Sequence, residues 1–168
     1  QGETFGDQPG AFLAGLNDGL SHLLERTRQL IFATAIYGCV DLERGELKIA
    51  SAGHPNPIVS RNGVVEILEL GSEAQGPGLG MVPGFEFPEM SLPVESLEGI
   101  WSFTDGVFEV LGADGQEFGV ARMCEALQSE DRSMEAIDRI VNAAINFAAE
   151  KVFEDDLCVL GIDFGHQT

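Results

Sequence analysis

The chain is poor in positive charge. Nine lysines and arginines stand against 28 aspartates and glutamates in 168 residues, a formal net charge of −19 with histidine neutral. So acidic a surface repels phosphate backbones and anionic headgroups, which makes nucleic acid and membrane surfaces poor candidate partners, and no nucleic acid is expected. Cysteine is scarce as well. Cys39, Cys124 and Cys158 are odd in number, far apart and each set in an apolar run. No CxxC or Cys/His spacing points to zinc and no disulfide framework is implied, so reduced core thiols in a cytoplasmic protein are expected. Long apolar runs are missing too: the longest, residues 30–40, is about half of what a bilayer span needs. No direct membrane insertion is expected, and the N-terminus lacks the basic start and apolar stretch of a signal peptide.

What is present is enough for one hydrophobic core. Apolar residues make up 44% of the chain and the mean hydropathy is +0.07, which rules out wholesale disorder. The length suits one domain rather than two. The acidity is lopsided: residues 1–84 carry a net −5 and residues 85–168 a net −14.

After a polar lead-in over residues 1–8, Pro9 sits where a first helical turn accepts proline. Phe12, Leu13, Leu16, Leu20, Leu23 and Leu24 recur at three- and four-residue spacing, which predicts an amphipathic helix over residues 9–28. Gly15 and Gly19 weaken it but leave room for a close neighbour. The period then changes. Residues 31–40 read as a strand apolar on both faces, 41–45 as a turn and 46–52 as a second strand. Residues 57–60 and 64–68 read as a hairpin closed by Arg61-Asn-Gly63, because Asn-Gly supplies the positive φ angles of tight turns. A glycine-rich loop over 71–84 is followed by strands at 85–94 and 99–104, helices at 118–127 and 133–150, and a last strand at 157–163. Ser133 with Ala136 makes an imperfect capping pattern for the second of those helices. Strands in sequence bracketed by helices predict an antiparallel-rich α+β layered domain, not a doubly wound parallel sheet.

Three segments can carry chemistry. In Phe103-Thr-Asp-Gly106 an apolar strand delivers Asp105 and turns at once on glycine; in Phe153-Glu-Asp-Asp-Leu157 three acids stand between a helix end and an apolar strand. Read alone, Asp105 fits an Asp-Gly turn and Glu154, Asp155 and Asp156 fit a solvated loop. Read together, carboxylates at the ends of buried strands repel one another unless paired or metal-bound, and Lys151 is the one cation near the second cluster. Hard oxygen donors without histidine favour Mg2+ or Mn2+ over zinc. The third segment is the rigid turn Ala52-Gly-His-Pro-Asn-Pro57. Its His54 reads either as a base or as a turn histidine that holds the loop. His22, on the polar side of the first helix, and His166, in the tail, invite no role. Gly76-Pro-Gly-Leu-Gly80 lacks the Lys-Ser/Thr and helix start of a phosphate-binding loop.

The order Phe32-Ala-Thr-Ala-Ile-Tyr-Gly38, Ala52-Gly-His-Pro-Asn-Pro57, Gly78-Leu-Gly80, Phe103-Thr-Asp-Gly-Val107, Phe118-Gly119 and Asp155-Asp156-Leu157 resembles the SpoIIE/RsbU-type branch of the metal-dependent PPM (PP2C-like) serine/threonine phosphatases. The resemblance runs from about Pro9 to Asp163 and implies a β-sandwich of antiparallel sheets flanked by helices. It implies dephosphorylation of a signalling phosphoprotein, an anti-sigma-factor antagonist in a partner-switching pathway, with two Mn2+ or Mg2+ ions activating a water. It places Asp105 and Asp155 as metal ligands, with no catalytic residue beyond them, and makes the His54 turn structural. Leu157-Cys158 departs mildly from the aliphatic-Thr/Ser continuation that is usual after the aspartate pair. The family's Gly-Asp-Val-Ser-Gly-His-Gly-type segment, which supplies the bridging aspartate, has no counterpart here: Gly6-Asp7-Gln8-Pro9 shares only its first two residues. The expectation is therefore the C-terminal portion of such a domain over residues 9–164, with 165–168 a tail. At most one weakly held ion and little activity are expected of these residues alone, and a bared sheet edge favours a homodimer. The alternative is a phosphatase-like module that binds or dimerises without hydrolysis.

Overall fold

In the computed structural model, which describes residues 5–25, 31–71, 75–129, 134–150 and 155–165, helix α1 (Pro9–Leu24) opens on its proline without a side-chain cap. The helix tail expected at 26–28 and the cap expected at Ser133 lie outside the described residues, as does His166. The chain divides into two units, residues 1–54 with 70–96 and residues 55–69 with 97–168.

In the first unit β1 (Ala35–Asp41) and β2 (Glu46–Ala52) form a hairpin. The Asp41 carboxylate accepts from the amides of Glu43 and Arg44, both at 2.9 Å, and holds its turn. β2 is central. It pairs antiparallel with β1 and with β6 (Met90–Pro93), and parallel over two residues with β5 (Gln75–Gly76). Leu13, Ala50, Ala52, Leu79 and Phe87 form the core under α1, and Phe12 stacks on Tyr37 at 4.3 Å between ring centroids.

Several expectations change here. The buried face of α1 carries Pro9, Gly10, Leu13, Asn17 and Ser21, while Leu16 and Leu23 are exposed. The reason is polar: the Asn17 side chain accepts from the Gly80 amide and donates to the Val82 carbonyl, each at 2.9 Å. Gly15 and Gly19 face open space, whereas a Cβ on Gly10 would collide with the Phe87 carbonyl. The strand expected at 85–94 is confined to β6, because Phe85 and Phe87 turn into the α1 core and stack edge to face at 5.0 Å. The glycine-rich loop is a packing loop. Leu79 and Ala33 exchange backbone hydrogen bonds of 2.8 and 3.2 Å, and a Cβ on Gly78 would meet the Phe32 ring at 2.9 Å.

The second unit holds β3 (Ile58–Arg61), β4 (Val64–Ile67), β7 (Gly99–Phe103) and β8 (Val159–Asp163), antiparallel in the order β4-β3-β7-β8. The hairpin turn has Asn62 and Gly63 at φ +50° and +74° as its sequence predicts. A short helix α2 (Asp105–Phe108) follows β7 directly, then α3 (Gly119–Gln128) and α4 (Ala136–Phe147). The helices and the strands share a core of Ile58, Trp101, Phe103, Val107, Phe118, Met123, Leu127, Ile140 and Ala144. Arg139 is buried and donates to the carbonyls of Ala126 and Leu127, orphan carbonyls at the end of α3, and to that of Met134 ahead of α4.

Of the three thiols expected in the core, Cys124 packs against the core of the second unit and the other two do not reach full burial. Cys39 and Cys124 are half-buried and Cys158 is exposed. Cys39 lies in β1, an edge strand with one neighbour among the described residues, so its apolar sequence does not bring full burial; Cys158 stands just before β8, the other such edge strand.

Candidate functional site

Asp105 and Asp155 belong to the second unit, and the β7–β8 ladder sets both at one end of it. The register runs from Gly99 opposite Asp163 to Phe103 opposite Val159. Asp105 therefore lies just past the end of β7, and Asp155 just before the start of β8.

The two segments are tied beyond the last strand pair. The Thr104 amide donates to the Cys158 carbonyl at 3.1 Å, the Cys158 amide donates to Thr104 Oγ1 at 3.1 Å, and Thr104 Oγ1 donates to the Asp156 carbonyl at 3.2 Å. Gly106 is buried against the same loop, where a Cβ would stand 2.6 Å from the Asp156 carbonyl oxygen and 3.4 Å from the Asp155 carbonyl carbon. That close approach is what requires glycine after Asp105.

Both aspartates are exposed, and each takes the amide that follows it: Asp105 Oδ1 accepts from Gly106 at 3.1 Å, Asp155 Oδ1 from Asp156 at 2.7 Å. No described residue donates to the other oxygen of either carboxylate, and none of the described salt bridges reaches Asp105, Asp155 or Asp156. The donor chemistry fits a hard divalent cation, since two carboxylates face solvent with unused oxygens. The fit is partial, because no group of three or more His, Cys, Asp or Glu side chains is gathered for a metal among the described residues. Glu154 and Lys151 lie outside the described residues.

His54 stands in the first unit, built into its own turn. Its amide donates to Ser51 Oγ at 3.3 Å, Ser51 Oγ donates to its carbonyl at 3.2 Å, and Thr34 Oγ1 is 3.3 Å from Nδ1. His22 is exposed on α1, 3.6 Å from Glu25. The residue that sequence reasoning missed is Thr104. Its signal was a β-branched hydroxyl residue at the end of an apolar strand, immediately before Asp-Gly.

Two sheets with flanking helices in a mixed α+β chain make up the fold of PP2C-like phosphatase domains. The chain matches the phosphatase domain of SpoIIE from Bacillus subtilis (Mn presoaked) with a TM-score of 0.63 at 15% identity, over 100% of this chain and 78% of that one. It matches the RsbU and RsbW domains of Rv1364c from Mycobacterium tuberculosis with a TM-score of 0.62 at 23% identity, over 85% of this chain and 39% of that one. In sequence, the protein IcfG of Synechocystis is 28% identical over 134 residues, which are 79% of this chain. The chain spans 20% of the length of that relative. The sequence model of the family described as Stage II sporulation protein E (SpoIIE) matches residues 3–165, and the chain belongs to that family. No helix among the described residues is long and apolar enough to cross a membrane.

Proposed function

We propose that the chain is the metal-binding end of a serine/threonine phosphatase domain that hydrolyses a phosphomonoester on a signalling phosphoprotein, with Asp105 and Asp155 as ligands for Mn2+ or Mg2+. The observation that carries the reading is the joining of Thr104-Asp-Gly106 to Asp155-Asp156 by the Thr104 hydroxyl and the Gly106 contact. When bound, the cation neutralises phosphate charge and lowers the pKa of a water nucleophile. The chain's own part is electrostatic and positional. Residues 85–168 carry a net −14, a field that repels a phosphoryl group until cations offset it. The two aspartates hold one oxygen each on a backbone amide and turn the other toward solvent.

The substrate class we infer is a phosphorylated anti-sigma-factor antagonist, in keeping with the RsbU and RsbW domains that share one chain in the Mycobacterium tuberculosis protein. The second reading, a phosphatase-like module that binds or dimerises without hydrolysis, draws on the absence of a third gathered donor among the described residues. Two carboxylates without a bridging one do not clamp two metals. The 168 residues alone are therefore expected to bind one ion weakly and to turn over a generic phosphomonoester in excess Mn2+ near background. Asp105→Asn and Asp155→Asn should each abolish Mn2+ binding in a calorimetric titration. Binding that survives both substitutions refutes the assignment; robust turnover abolished by Asp105→Ala refutes the donor count.

A further inference from the structure

We infer that Thr104 is the positioning residue of this site: its side chain replaces its own main chain in the last rung of the β7–β8 ladder and so sets Asp105 against Asp155. The inference rests on the metal reading of the two aspartates given above. An antiparallel pair in hydrogen-bonded register exchanges both of its N–H···O bonds. Continued one residue past Phe103 and Val159, that register sets Thr104 opposite Cys158. One bond of this rung is ordinary, from the Thr104 amide to the Cys158 carbonyl. The return bond is not. The Cys158 amide donates to Thr104 Oγ1 at 3.1 Å instead of to the Thr104 carbonyl.

That carbonyl accepts instead from the Val107 amide at 3.2 Å, which opens helix α2, and the Asp105 carbonyl accepts in turn from Glu109 at 2.9 Å. The hydroxyl proton goes to the Asp156 carbonyl at 3.2 Å, so one side chain acts as donor and acceptor at once. Thr104 precedes α2 in extended conformation, at φ −87° and ψ 163°, yet makes no capping bond to the helix. A threonine at that position ordinarily turns its oxygen to the first helical amides; here it is spent across the strand gap. The chain can thus leave β7 and begin a helix within one residue while Asp155 and Asp156 stay in reach. Valine has the same branched shape without the hydroxyl. It leaves the Cys158 amide without its acceptor and the Asp156 carbonyl without its donor, which loosens the tie between the turn that carries Asp105 and the segment that carries Asp155.

The test uses the full 168-residue chain, Mn2+ alone as probe, and the Cys158 amide as a second reporter. Thr104→Val should weaken Mn2+ binding by about tenfold, in the range found when groups that orient metal ligands are removed, and should speed hydrogen exchange of the Cys158 amide. Thr104→Ser, which keeps the hydroxyl, should leave affinity within about twofold and exchange unchanged. Asp105→Asn should abolish the Mn2+ signal while leaving Cys158 exchange as it was. Unaltered affinity in Thr104→Val, or equal losses in the valine and serine variants, overturns the positioning role and leaves the aspartate site standing. An unsubstituted chain without an Asp105-dependent Mn2+ signal overturns the site, and the role of Thr104 with it.

Discussion

Gly106→Ala puts the joint between the two aspartate segments under direct load. Gly106 lies in α2, where alanine is ordinarily worth about 1 kcal/mol over glycine. Its Cβ would nevertheless stand 2.6 Å from the Asp156 carbonyl oxygen and 3.1 Å from the carbon of the same group. Both atoms are backbone and cannot swing aside as a side-chain tip would. Carbon–oxygen contacts settle near about 3.3 Å, so the Asp156 loop must retreat by roughly 0.7 Å. That movement strains packing at about 1–3 kcal/mol. It also pulls the Asp156 carbonyl from the Thr104 hydroxyl, already 3.2 Å away, a bond worth about 1 kcal/mol. Set against the helical gain, the net is a destabilisation of about 2 kcal/mol, or about 4–8 °C in melting temperature for a chain of this size. Gly15→Ala is the matched control. It is also helical, and open space surrounds the added methyl, so its melting temperature should rise. The assay is thermal unfolding followed by circular dichroism, with urea midpoints as a check. A Gly106→Ala chain that melts at or above the parent refutes the reasoning, since the contact would then not be close enough to demand glycine.

Asn17→Ala strips the two 2.9 Å hydrogen bonds to Gly80 and Val82 from a fully buried position and should cost about 1–3 kcal/mol, with faster hydrogen exchange at the Gly80 amide as its local sign. Iodoacetamide at mildly alkaline pH should alkylate Cys158, which is exposed, before Cys124, as peptide mass spectrometry would show. Burial is the main cause that raises the Cys124 thiol above its ordinary range, and Glu125 adds to it. Because the folded state favours the protonated thiol, Cys124 contributes stability that is complete below the ordinary thiol range and is lost as pH rises through the folded value. Cys124→Ser should flatten that alkaline fall in urea midpoints.

Local elements were legible where a residue type dictates the backbone by itself. Asn62 and Gly63 take positive φ in any tight hairpin, Pro9 opens a helix with its own ring, and residues 46–52, read as a strand after the turn at 41–45, form the strand that is seen there. Motif order also carried through to the SpoIIE family, which the family match over residues 3–165 bears out. Legibility failed where a partner from far along the chain decides. Residues 85–94 have strand composition, but Phe85 and Phe87 find more to bury under α1 than in a ladder. Leu16 and Leu23 fit the apolar stripe of α1, yet the loop at Gly80 and Val82 offers hydrogen bonds that only Asn17 can take.

The same division runs through the candidate site. Sequence by itself determined the donor chemistry: hard carboxylates at Asp105 and Asp155, in a half of the chain with a net −14 and few cations to pair them. An isolated Asp-Gly reads alike as a turn or as a ligand, because local propensity is the same for both. The tertiary structure decided that the two aspartate segments lie at one end of the β7–β8 ladder, since strand pairing joins residues about fifty positions apart that share no local signal. It also decided the role of Thr104, whose hydroxyl becomes a rung of that ladder only when Cys158 is folded back beside it.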